Sequence, residues 1–180
     1  MNKKVGFVLL MLGLLSTPVF LLSSPAEDSL SSFLGVKWGI SAKEFTTNFE
    51  FKSKIDKEIG MPGFDLRFFK MGNGTGTLTF RFKTIDNSKL EFTESNFDKY
   101  FLDKVYVLME SKDFDNVLSF FKGIYGEPTN YKETPIQNKL GTTFVQKEAD
   151  WISTESKRKV HIQRFNETIQ WGSGLLEEIK

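Results

Sequence analysis

Thr75-Gly76-Thr77-Leu78-Thr79-Phe80-Arg81-Phe82-Lys83-Thr84 sets Leu78, Phe80 and Phe82 on one side of an extended chain, with Thr79, Arg81 and Lys83 on the other. A period of two with one apolar and one polar face marks an antiparallel strand, buried on one side and wet on the other. Upstream, Phe64 to Lys70 reads as a second extended arm. Between the arms, Met71-Gly72-Asn73-Gly74 carries the Asn-Gly pair that supplies positive φ angles to a tight turn. The two arms predict a hairpin. Gly72-Asn73-Gly74-Thr75-Gly76 also has the look of a phosphate cradle, but such a loop must lead into a helix, and here a strand follows.

Working outward, a polar turn at Asp86-Asn87-Ser88 leads to a short strand at Leu90 to Phe92, and an apolar strand runs from about Phe101 to Met109. After Ser111 the pattern changes to the helical period. Phe114, Val117, Leu118, Phe121 and Ile124/Tyr125 recur at helical spacing behind Asp113 and Asp115, and Gly126 and Pro128 stop the run. A polar loop with Pro128 and Pro135 follows. Strands are expected near Thr142 to Lys147, Trp151 to Ser153, Val160 to Phe165 and Thr168 to Trp171, with Gly172-Ser173-Gly174 loosening the end. Toward the N-terminus, Phe33 to Trp38 reads as a strand, and Ser41-Ala42-Lys43-Glu44 has capping-box spacing before a short helix that buries Phe45 and Phe49. The sum is an α+β domain: an antiparallel sheet with two helices packed on one face. The segments beginning near Val36 and Val107 share the order strand, Ser-x-x-acid, Phe, helix, which hints at two repeated helix-strand units.

The first 26 residues stand apart. Lys3 and Lys4 precede an uncharged run from Val5 to Leu22, and Ser24 and Ala26 place small residues where signal peptidase needs them. A membrane anchor of that length is the rival reading, but Pro18 would kink it. The expectation is a signal peptide over 1–26 and one domain over 27–180, exported to the periplasm or beyond, with no membrane anchor after cleavage. The chain has no cysteine, which removes a lipid anchor on a new N-terminal Cys, disulfides, thiolate nucleophiles and Cys-based metal sites. Removing Lys3 and Lys4 from the 24 Lys and Arg leaves 22 against 23 Asp and Glu, so nothing in the charge suggests nucleic acid as a partner. Of 19 phenylalanines, Phe7 and Phe20 lie in the leader. The remainder furnish a core of large rings, with some left for a pocket or an interface.

Gly35-Val36-Lys37-Trp38-Gly39-Ile40-Ser41-Ala42-Lys43-Glu44, followed by Tyr125-Gly126-Glu127-Pro128 and then Trp151, resembles a group of small uncharacterised exported bacterial proteins. Those proteins open with Trp-Gly-x-Ser-x-x-Glu and carry a helix ending in Tyr-Gly-x-Pro. More loosely, the helix-then-strands layout is similar to that of β-lactamase-inhibitory proteins and of the small lipoproteins of outer-membrane assembly. The chain departs from the latter by lacking the anchor cysteine. Neither resemblance implies catalytic residues.

The chemistry-bearing residues are sparse. His161 is the single histidine, and on its strand it alternates with Val160 and Ile162, which reads as a wet-face residue and leaves no basis for a zinc hydrolase. Glu91 with Glu94, and Asp113 with Asp115, are carboxylate pairs, the second explained by helix capping. Lys157-Arg158-Lys159 with Arg164 reads as a solvated turn and strand edge. Asn73-Gly74-Thr75 and Asn166-Glu167-Thr168 fit the glycosylation pattern, which matters only in a eukaryotic secretory route; the bacterial-type leader and the resemblance to bacterial proteins imply chance matches. Trp38, Trp151 and Trp171 with Phe68 or Phe69 are the candidate contact residues, because adjacent rings on a strand face opposite sides and an exposed ring is a typical interface anchor. The expected function is a non-catalytic binding or scaffold protein for a protein, peptide or apolar ligand, without metal or cofactor. A carboxylate-dependent envelope hydrolase and an inhibitor of another exported enzyme are the alternatives.

Overall fold

In the computed structural model, residues 29–48, 62–86, 88, 90–137, 139–164 and 171–179 are described. The leader, Phe49, and the expected strand residues Phe165 and Thr168 lie outside them. The strands are β1 (Ser32–Phe33), β2 (Val36–Lys37), β3 (Gly63–Met71), β4 (Gly74–Thr84), β5 (Tyr100–Glu110), β6 (Asn130–Gln137), β7 (Thr143–Ser153), β8 (Arg158–Arg164) and β9 (Trp171–Glu178). The α-helices are α1 (Ala42–Asn48) and α2 (Phe114–Tyr125). Strands β3 to β9 form one antiparallel sheet in the order β3-β4-β5-β9-β8-β7-β6.

The hairpin predicted from the alternation at Leu78, Phe80 and Phe82 is present as β3 and β4, but its turn is not made by Asn73-Gly74: Gly74 already pairs with Met71, the two turn residues are Gly72-Asn73, and the positive φ (65°) is at Gly72. Ser41 Oγ accepts the Glu44 N–H at 3.1 Å, so the capping residue opens α1 as the spacing predicts. Ser111–Asp113 forms a 3-10 turn that leads into α2, and the Gly126 N–H closes the helix on the Lys122 carbonyl at 2.9 Å.

Five local expectations are corrected. The strand expected at 33–38 is instead a minimal hairpin of β1 and β2, turned by Leu34 (φ 52°) and Gly35 (φ 78°); two successive positive φ angles make the type I′ turn that matches strand twist. Leu90 to Phe92 has no strand structure: Phe92 drops into the core against Phe64, Phe97 and Tyr100. The polar loop around Pro135 is strand β6. Proline is tolerated there because β6 is the sheet's edge. The two strands expected over 142–147 and 151–153 are the single strand β7. Gly172-Ser173-Gly174 does not loosen an end but lies inside β9. A Cβ at Gly172 would sit 2.8 Å from the Gln163 carbonyl oxygen, and one at Gly174 would sit 2.9 Å from Ile162 Cγ2, so glycine is what lets β9 fit between its neighbours.

Strand register orders the side chains into rows, since directly paired residues share a sheet face. One row runs Phe64, Phe80, Val105, Leu176, Val160, Trp151, and every member is buried. The next runs Leu78, Val107, Gly174, Ile162, Ala149, also buried. These rows are the floor of the core. Phe45 of α1 packs its ring 4.9 Å from Phe80 and 5.6 Å from Phe64, and Phe121 of α2 lies 5.8 Å from Trp151 and 6.0 Å from Phe33. Each such buried ring contributes roughly 1.5–3 kcal/mol by removal from water. In a chain without disulfides, this is the main source of stability.

Candidate functional site

Shifting each strand by one residue turns the register over to the opposite face. There the row Asp65, Thr79, Tyr106, Leu175, His161, Asp150 crosses the same six strands, and none of its central members is fully buried. Beside it, Leu108 pairs with Ser173, and Glu110 pairs with Trp171. Leu108 and Trp171 are therefore diagonal neighbours on adjacent strands, and they are 45% and 47% exposed. Tyr106 and Leu175, paired directly, continue the apolar stripe along β9, the central strand of the sheet, and its neighbour β5.

Ion pairs border this stripe. Lys104 Nζ meets Glu177 Oε2 at 2.6 Å, and Asp150 Oδ1 takes contacts from both Lys159 Nζ at 2.9 Å and His161 Nδ1 at 2.8 Å. Burial alone would raise the Asp150 carboxyl, but the hydrogen bonds from Lys159 and His161, with their charges, outweigh it and hold it below its ordinary range. His161 is thus on the wet face, where its alternation with Val160 and Ile162 put it, but it is tied to a carboxylate rather than free. Among the described residues there is no group of three or more His, Cys, Asp or Glu side chains able to hold a metal ion. None of their helices is long and apolar enough to cross a membrane.

The five aromatic residues singled out from the sequence do not form one cluster. Trp151 is buried in the core row, its Nε1–H donating to the Gly126 carbonyl at 2.9 Å. Trp38 is half-buried, donates from Nε1 to the Leu30 carbonyl at 2.8 Å, and carries the Arg158 guanidinium 4.6 Å above its ring. Phe69 packs edge-on to Phe120 of α2 at 6.0 Å. Phe68 is 86% exposed with φ 55°, because a bulge between Leu66 and Phe69 breaks the alternation of β3. Trp171 lies on the open face beside Leu108. Leu108, Tyr106 and Leu175 were not singled out from the sequence, although Val105 to Met109 is apolar at every position. That is more than a strand with one wet face requires.

A cleft lies apart from this face, at the far end of β4. Ile85, Leu90 and Phe101 line an open cleft of about 300 Å³, with Asp86, Asp98 and Lys99 at its walls. The Ser88 N–H donates to Asp86 Oδ1 at 3.0 Å and holds that carboxyl below its usual range. No family model, curated protein or solved structure matches the chain. Any reading of its function therefore rests on these surfaces.

Proposed function

We propose that this is an exported periplasmic protein that binds or scaffolds without catalysing, and that its open sheet face holds a protein, a peptide or an apolar ligand. The observation that carries the reading is the apolar stripe of Tyr106, Leu108, Trp171 and Leu175 on the central strand β9 and its neighbour β5. On this reading α1 and α2 cover one face of the sheet, since Phe45 and Phe121 both meet side chains of the same buried row. The stripe then faces away from both helices. A central aromatic-aliphatic group bordered by internally paired charges is the composition of an interface core with a polar rim. The chain order, α1 followed by β3 to β5 and α2 followed by β6 to β9, supports two helix-then-meander units. Export is supported by the profile of residues 1–26.

The test is capture from a bacterial envelope extract, scored for one stoichiometric partner. The wild type should retain it, and the folded variant Leu108→Thr/Trp171→Thr should lose it. Hydrolytic turnover by the purified protein, abolished by substituting one carboxylate, would replace this reading with an envelope hydrolase.

A further inference from the structure

The bulge in β3 and the cleft at the end of β4 complement one another in shape and charge. The left-handed backbone at Phe68 is strained for a non-glycine residue, yet it turns a phenylalanine almost wholly into water. Arg67 and Lys70 lie within two residues of it in the same strand, both exposed, and neither is ion-paired within the described residues. The cleft offers the counterpart. Ile85, Leu90 and Phe101 are an apolar lining, and among its described residues Asp86 and Asp98, without ion-pair partners there, outnumber Lys99. A cavity of roughly 150 Å³ already accepts a benzene ring, so a cleft of about 300 Å³ has room for the Phe68 side chain.

One molecule cannot satisfy both ends itself. The bulge faces β4 at Thr77, between the Leu66–Leu78 and Phe69–Gly76 pairs, whereas the cleft begins at Thr84. At the rise of an extended strand these points lie about 20 Å apart. We infer that Phe68 of one copy inserts into the Ile85–Leu90–Phe101 cleft of a second copy of this chain, with Arg67 and Lys70 meeting Asp86 and Asp98. The contact is head-to-tail. Each added copy leaves one ring and one cleft unused, so assembly continues into chains or closes into a ring. This surface is distinct from the sheet face above, and its test does not depend on that one.

Sedimentation velocity of the purified protein over a rising concentration series at low ionic strength tests it. The weight-average sedimentation coefficient should climb past the dimer, and 0.5 M salt should oppose the climb by screening the charges. Phe68→Ala should weaken association about tenfold or more, as loss of a central aromatic anchor does. Phe68→Gly, which also relieves the backbone, should do the same without loss of fold. Ile85→Lys/Asp98→Lys should block the cleft. Mixing that variant with Phe68→Ala should restore association but stop at a one-to-one dimer, since each partner supplies a single working end. A wild type that stays monomeric throughout, or a Phe68→Ala protein that assembles like the wild type, would overturn the inference. So would a monomeric wild type that co-sediments with phosphatidylglycerol vesicles through Phe68, which makes a bilayer the acceptor of the ring.

Discussion

The two faces of the seven-stranded sheet are built from the same strands one residue out of step, and they differ in almost every respect. Phe64, Phe80, Val105, Leu176, Val160 and Trp151 make a row of large apolar side chains, met at Phe80 by the Phe45 ring and at Trp151 by the Phe121 ring. Their immediate neighbours, Asp65, Thr79, Tyr106, Leu175, His161 and Asp150, make a row that is polar at its ends and apolar at its centre. On the first face side chains are chosen for volume, and a change of shape is felt throughout the core. On the second, half-exposed side chains leave stability more tolerant of change, and it is to this apolar centre that the proposed function assigns recognition.

The contrast can be broken most severely from the inner side. Phe121→Ala removes a fully buried ring that touches Phe33, Tyr125 and Trp151, and should cost about 3–5 kcal/mol, read as a fall in the urea midpoint at constant slope. Gly174→Val should cost about 2 kcal/mol, because its Cβ meets Ile162 Cγ2, the His161 carbonyl and Val107 Cβ all within 3.1 Å. A loss near zero would mean that the centre of the sheet is looser than its register implies. At the bulge, Phe68→Gly should raise the thermal midpoint slightly, by about 0.5 kcal/mol of stability, the relief of a left-handed residue less the added freedom of glycine. On the outer face, Leu108→Thr/Trp171→Thr should leave stability within about 0.5 kcal/mol, while abolishing partner capture. The smallest effect is electrostatic. The Asp150 carboxyl titrates below its unfolded range, so its contribution is complete above the ordinary carboxylate pKa and is lost as pH falls through its lower folded value. Urea unfolding between pH 6 and pH 2 should therefore show a shallower decline for Asp150→Asn than for the wild type, by an amount limited by partial exposure.

Much of this contrast could be read in the chain beforehand, and what was hidden has physical causes. Leu78, Phe80 and Phe82 announced β4 because one face is apolar and the other polar, and Phe114 to Tyr125 announced α2 by its stripe and its Gly126 stop. Strand β9 was obscured because Gly172 and Gly174 lie at inward positions where neighbouring backbone leaves no room for a side chain. A local pattern cannot display a space restriction imposed by another strand. Strand β6 was hidden by Pro135, which is excluded from central strands but not from an edge, and edge status is a property of the whole sheet. The site was less legible than the fold. Adjacent Phe68 and Phe69 suggested one exposed ring, and Phe68 is exposed, but through a bulge that no residue pattern encodes. Trp38 and Trp151, also expected as contact residues, both spend their indole N–H on nearby carbonyls. The unbroken apolar run Val105 to Met109 was the available signal for the stripe on β5.

The order of the strands in the sheet carries a consequence in time. Strand β9, the last described strand in sequence, lies between β5 and β8, and Val105 finds its partner Leu176 about 70 residues further along. Until β9 arrives, the hairpins of the first half and the meander of the second each present an open, hydrogen-bond-hungry edge. Pairing across so long a loop is slow, and an incomplete sheet is prone to stick to its neighbours. On the proposed export, a chain emerging N-terminus first on the far side of a membrane would therefore hold two unfinished half-sheets until β9 is through. That interval, more than the finished fold, is when it would have most need of a chaperone.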